Sequence, residues 1–100
     1  MSIILTTPAE MQKKLALKVR AKRLFLNLSQ QTLSARSGVS YGVIKKFERT
    51  GEISLESLLK LAIPLDSMNE FNNLFSFNKP ETALSLDDLI EQTSRQRGRK

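Results

Sequence analysis

The residues of this chain best suited to chemistry lie close together. Between Ser40 and Lys46 the order Ser-Tyr-Gly-Val-Ile-Lys-Lys sets two lysines behind a tyrosine and a glycine. In a helix N-capped by Ser40, the exposed side carries Tyr41, Gly42, Lys45 and Lys46 with Val43 beside them, while Ile44 and Phe47 turn inward. Ammonium groups near the start of a helix suit guanine O6 and N7 or backbone phosphate, and the sequence does not separate these two roles. Tyr41 offers a hydroxyl to phosphate or a ring to a thymine methyl. Gly42 lets the backbone come close to a groove; its cost in helix propensity has the plainer reading of drift at a tolerant surface site. Upstream, Gln30 and Gln31 occupy the first turn after Ser29, where amide side chains and free N–H groups can hold a phosphate. Ser40 at the second helix start, and Arg36, Arg20 and Lys22, are further phosphate candidates, a role that any solvated basic helix face would share.

Composition narrows the chemistry. The 100 residues contain no cysteine and no histidine, which removes disulfides, thiolate metal sites, the usual zinc sites and the commonest general base. The ten carboxylates fall mostly on caps and exposed faces, with no nucleophile–base constellation, so an enzyme is not expected, nor a cofactor. Asp87, Asp88 and Glu91 lack further ligands and read as the polar side of a helix rather than a metal site. The net charge of +6 is uneven. Residues 1–60 hold eleven Lys/Arg against four Asp/Glu, residues 61–94 one against six, and the last six residues, RQRGRK, four against none. A basic front half is the footprint of a polyanion binder, although a solvated lysine-rich surface gives the same count. No signal-peptide pattern opens the sequence and no apolar run approaches bilayer length, so a cytoplasmic location with no membrane partner is expected.

The elements that must position these residues are legible as caps. Thr7-Pro8-Ala9-Glu10 combines an N-cap, proline at the first helical position and a capping box. The helix it opens should run to about Leu26, with Met11, Leu15, Val19, Arg23 and Leu26 on one face and Asn27 as a left-handed cap. Leu28-Ser29 with Leu33, and Val39-Ser40 with Ile44, are each a serine cap with a hydrophobic staple. Gly38 stands where the first helix of this pair must stop. Two short helices joined through a glycine make a helix-turn-helix, whose second helix enters the major groove of DNA. Ser34 is small where the pair crosses. Glu48 falls near the buried side and needs a partner; Arg23, on the apolar stripe of the first helix, is the natural one. Thr50-Gly51-Glu52 reads as a turn. Ile53-Ser54 launches a helix with Leu55, Leu58, Leu59 and Ala62 inward, ended by Pro64. Ser67 and Glu70 begin a last core helix carrying Met68, Phe71, Leu74 and Phe75, with Phe77 beyond. So many aromatics on one short helix serve either core filling or a dimer or partner surface.

The expected layout is an arm over residues 1–6 with the β-prone Ile3-Ile4-Leu5, a DNA-binding domain over 7–79, and a C-terminal part over 80–100. In that last part Leu84-Ser85-Leu86-Asp87-Asp88-Leu89-Ile90 repeats the cap-and-staple pattern as a two-turn amphipathic helix. Leu86, Leu89 and Ile90 would dock on the chain's own domain or on a partner. A disordered basic tail should follow from Thr93.

The stretch LSQQTLSARSGVSYGVIKKFERTG resembles the Cro/C1 (Xre) helix-turn-helix repressors, whose usual form reads LSQxxLAxxxGVSxxxIxxxExG. Leu28, Ser29, Gln30, Leu33, Gly38, Val39, Ser40, Ile44, Glu48 and Gly51 match; Ser34 replaces the usual alanine, and Thr50 is interposed before the glycine. The similarity covers about residues 12–66. It implies an all-α, five-helix fold, a homodimer on a roughly palindromic double-stranded DNA operator, and an ion pair between the first helix and the end of the recognition helix, by position Arg23 and Glu48. A narrower resemblance lies in FERTGEISLESLLKLA, NEFNNLF, SLDDLIE and RQRGR, which are similar to HipB-type antitoxins. That resemblance implies a repressor of its own operon that also binds a HipA-like serine/threonine kinase toxin. The alternative is a stand-alone repressor whose C-terminal part serves dimerisation alone.

Overall fold

The computed structural model describes residues 6–77, in which all regular structure is helical. The order is α1 (Pro8–Phe25), α2 (Gln30–Ser37), α3 (Tyr41–Thr50), α4 (Leu55–Ala62) and α5 (Met68–Asn72). The chain divides into two compact units, Met1–Ser67 and Met68–Lys100. The expectations for the Ile3-Ile4-Leu5 arm, for Leu86, Leu89 and Ile90, and for the basic tail lie outside the described residues.

In the first unit the helices start where their capping residues stand. Thr7 caps α1 in a complete capping box: the Glu10 amide donates to Thr7 Oγ1 at 3.1 Å, and the Thr7 amide donates to Glu10 Oε1 at 3.0 Å. Ser29, Ser40 and Ser54 cap α2, α3 and α4, accepting from the amides of Thr32, Val43 and Ser57. Asn27 takes φ 59° just past α1, and Gly38 and Gly51 close α2 and α3 at φ 79° and 86°. Each orphan helix end thus has a local partner written into the sequence.

The core is Ala16, Leu28, Leu33, Val39, Ile44, Phe47, Leu58, Leu61, Ala62 and Leu65, with α1 and α2 both packed on α3 and α2 on α4. It corrects the expected faces in three places. Met11 and Leu26 are 50% and 37% exposed; Arg23 is buried as expected, and the residue of α1 buried beside it is Ala16, from outside the expected stripe. The reason lies at Gly51, where a Cβ would sit 2.8 Å from the Gln12 carbonyl carbon. The α1 backbone passes so close to the end of α3 that only small residues fit between them. Leu55 is 66% exposed because it stands in the first turn at the edge of a face that centres on Leu58, Leu61 and Leu65. The expected last core helix is the third. In the second unit α5 has only five residues and none is buried; Leu74, Phe75 and Phe77 lie beyond its end, and all three are at least half exposed. Phe75 adopts φ 60°, which breaks the periodicity that would have aligned it with Phe71.

Candidate nucleic-acid interface

α3 has one apolar side and one open side. Ile44 and Phe47 are fully buried, and the opposite face carries Gly42, Lys45, Lys46 and Arg49, all exposed. Tyr41 and Val43, at 40% and 37% exposure, flank it. Arg49 was not among the residues picked from the sequence. Its spacing from Gly42 and Lys45 or Lys46, seven and then four or three, is the helical signal that places it there. Nothing lies within 4 Å of where a Gly42 Cβ would be, so the backbone at that point is open.

Two contacts set the lysines. Lys45 Nζ lies 5.1 Å from the centroid of the Tyr41 ring, one turn earlier on α3, a cation–π contact that restrains the ammonium. Lys46 Nζ pairs with Glu52 Oε1 at 3.2 Å, with both side chains more than half exposed. A pair that open is worth about 0–1 kcal/mol, so it yields readily to a phosphate or a base. The interposed Thr50 has a structural use: its hydroxyl donates to the Lys46 carbonyl at 2.7 Å and accepts from the Glu52 amide at 3.1 Å. It extends α3 by one residue and fixes the chain that carries Glu52.

The seat of α3 is a polar network. Arg23, 7% exposed, donates from Nε to Glu48 Oε2 at 2.7 Å and from Nη2 to Glu48 Oε1 at 2.9 Å, a bidentate pair. Its Nη1 donates to the Leu28 carbonyl at 2.8 Å, and Gln30 Nε2 donates to Glu48 Oε1 at 2.9 Å. Ser34 Oγ donates to the Val39 carbonyl at 2.6 Å across the turn between α2 and α3. The serine in place of alanine therefore keeps the small volume and adds a bond that locks the turn. No buried side-chain polar atom is left unsatisfied among the described residues.

A cleft of about 400 Å³ opens at the start of α2, lined by Arg20, Arg23, Ser29, Gln30, Gln31 and Tyr41. The structure thus brings together four of the residues singled out for DNA: Arg20, Gln30, Gln31 and Tyr41. One of the two Gln30 Nε2 hydrogens is spent on Glu48, so what Gln30 offers a phosphate is its backbone N–H and the second amide hydrogen. Ser40 uses its hydroxyl as the cap of α3, accepting from Val43 at 3.2 Å. Arg36 stands apart, exposed in the last turn of α2, and Lys22 is half-buried in the last turn of α1.

A helix-turn-helix family model matches residues 19–71, more than half of the chain. The chain belongs to the Cro/C1-type helix-turn-helix family. It is accordingly a DNA-binding transcription regulator. No curated protein matches the chain. The helix pair of this family is α2 and α3, and the cleft lies at the start of α2 beside α1 and the first residue of α3. No helix among the described residues is long and apolar enough to cross a membrane, and none of their carboxylates cluster as a metal site would require.

Proposed function

We propose that this Cro/C1-type regulator is a dimeric, cytoplasmic repressor that binds a palindromic operator beside its own gene. The observation that carries this reading is the open face of α3 next to the cleft at the start of α2. Tyr41, Gly42, Val43, Lys45 and Lys46, joined by Arg49, meet base edges. Gln30 and Gln31 through their backbone amides, with Ser40, Arg36, Arg20 and Lys22, meet phosphates. Residues 7–79 form the DNA-binding part, and Phe71, Leu74, Phe75 and Phe77 contribute to the dimer or partner surface. Leu86, Leu89 and Ile90 belong to the same dimer or partner surface, and the sequence resemblance to HipB-type antitoxins makes the further partner of residues 80–100 a HipA-like kinase toxin.

The test is a titration against the DNA upstream of the gene and against a random duplex, each at two salt concentrations. Operator binding that survives the higher salt better than random binding supports a sequence reader. Equal, salt-labile binding to both would refute it. For the antitoxin role, the full chain and a chain ending at residue 79 are compared for binding to the adjacent gene product. Binding by the full chain that is lost on truncation supports the role, and no binding by the full chain sinks it.

A further inference from the structure

α1 carries a second apolar stripe that the DNA-binding geometry does not use. Its inward side, through Ala16 and Arg23, packs toward α3. On roughly the opposite side Leu17, Ala21, Leu24 and Phe25 recur at helical spacing, and Leu17, Leu24 and Phe25 are 62%, 51% and 82% exposed. Single exposed leucines need no explanation, but a contiguous stripe with a phenylalanine marks a surface built to be covered. Its edges are basic: Lys14 and Lys18, one turn apart, run along one flank, and Lys13 and Arg20 along the other, all exposed. Within α1 only Glu10, in the first turn, is acidic. Like charges on both flanks disfavour pairing this stripe with its own copy and call for an acidic, apolar occupant.

The chain contains such a segment. Between residues 81 and 92 it holds four acids and no base. The sequence spacing of Leu86, Leu89 and Ile90 is that of one apolar face of a helix, and Asp87 and Glu91 are four residues apart, as Lys14 and Lys18 are on α1. A two-turn helix is unstable alone and gains its stability from the surface on which it docks. We propose that the outer face of α1 is the seat of the Leu84–Ile90 segment of a second copy of this chain. Reciprocal exchange gives every stripe one occupant and closes the assembly at two copies, so both helix pairs stay free for DNA. The proposal rests on the dimeric reading above and adds where the dimer is held.

The experiment uses two full-length charge-reversed chains, Lys14→Glu/Lys18→Glu and Asp87→Lys/Glu91→Lys, with sedimentation equilibrium as readout and circular dichroism as the check on folding. Each alone places like charges across the contact, so its dimer dissociation constant should rise about thirtyfold. Mixed one to one, they should form a heterodimer as tight as wild type, because one contact is then native and the other is native with its charges exchanged. Dimers unchanged in both single variants would overturn the seat while leaving the dimeric reading intact. A wild-type chain that is monomeric at all concentrations would overturn both. Rescue only when all four substitutions share one chain would place the segment on its own copy and overturn exchange between copies. Flotation with phosphatidylserine vesicles that Lys14→Glu/Lys18→Glu abolishes, with dimers unaffected, would assign the stripe to a lipid surface instead.

Discussion

Replacing Glu48 by alanine tests whether one ion pair holds α3 in place. Glu48 receives three donors, Arg23 Nε and Nη2 and Gln30 Nε2, at 2.7 to 2.9 Å, and its side chain is only 5% exposed. Without the carboxylate, Arg23 keeps its bond to the Leu28 carbonyl, while its charge stays buried. Stranding a buried charge in this way costs about 3–5 kcal/mol. For a domain of this size each kcal/mol shifts the melting temperature by about 4–8 °C, so the variant should melt at least about 12 °C below wild type. Thermal unfolding followed by circular dichroism reads this directly. A fall of less than about 4 °C would refute a buried, energetically coupled pair.

The companion variant Arg23→Met/Glu48→Leu removes both charges and keeps apolar volume. It should recover most of the loss, because the pair as a whole is worth little against well-packed hydrophobes. If Glu48→Ala and the double variant were equally unstable, packing rather than charge would be the cause. Operator affinity of the double variant carries separate information. The network ties α1, the turn before α2, the start of α2 and the end of α3 together, so a stable double variant with weakened operator binding would show that the ion pair orients α3 rather than merely stabilising it.

Gly51→Ala should cost clearly more than Gly38→Ala in urea unfolding. Both have positive φ, worth about 1–3 kcal/mol of strain for alanine, but only at Gly51 would the new methyl meet the α1 backbone, at 2.8 Å; equal losses would refute the close approach. Gly42→Ala should stabilise the fold by about 0.5–1 kcal/mol, since the site is open and helical, and should weaken operator binding; stability gained with affinity unchanged would show that close backbone approach is not used. The Glu10 carboxyl is held below its ordinary 4.5, first by the Thr7 amide and then by the Thr7 hydroxyl. A depressed folded value adds stability above the ordinary one, lost as pH falls through the folded one. The melting temperature of wild type should therefore exceed that of Glu10→Gln near neutrality and converge on it in acid, and a gap that widens in acid would contradict the sign.

The parts of this fold that were legible in the sequence are those fixed by local chemistry. A serine that caps, a glycine or asparagine that turns left-handed and a staple that closes the first turn all act within a few residues. Thr7, Ser29, Ser40, Ser54, Asn27, Gly38 and Gly51 therefore stand where a reading of the sequence puts them. Arg23 and Glu48 lie 25 residues apart, yet each is conspicuous as a charge on an inward face, and a misplaced charge announces that it needs a partner. What could not be read is the choice between two apolar faces. α1 has leucines on both sides, and the side that turns inward is decided by Gly51, a residue on another element whose missing Cβ admits the α1 backbone. Ala16 then becomes core and Leu17 surface, the reverse of their hydrophobicity. Arg49 escaped notice for a related reason: it stands in the last turn of α3, where a basic residue is equally explained by the helix dipole. The leucines and phenylalanine left outside on α1 are thus the residue of a packing decision made at a glycine, and that same decision leaves the chain with an apolar, base-flanked surface on the side of α1 away from α3.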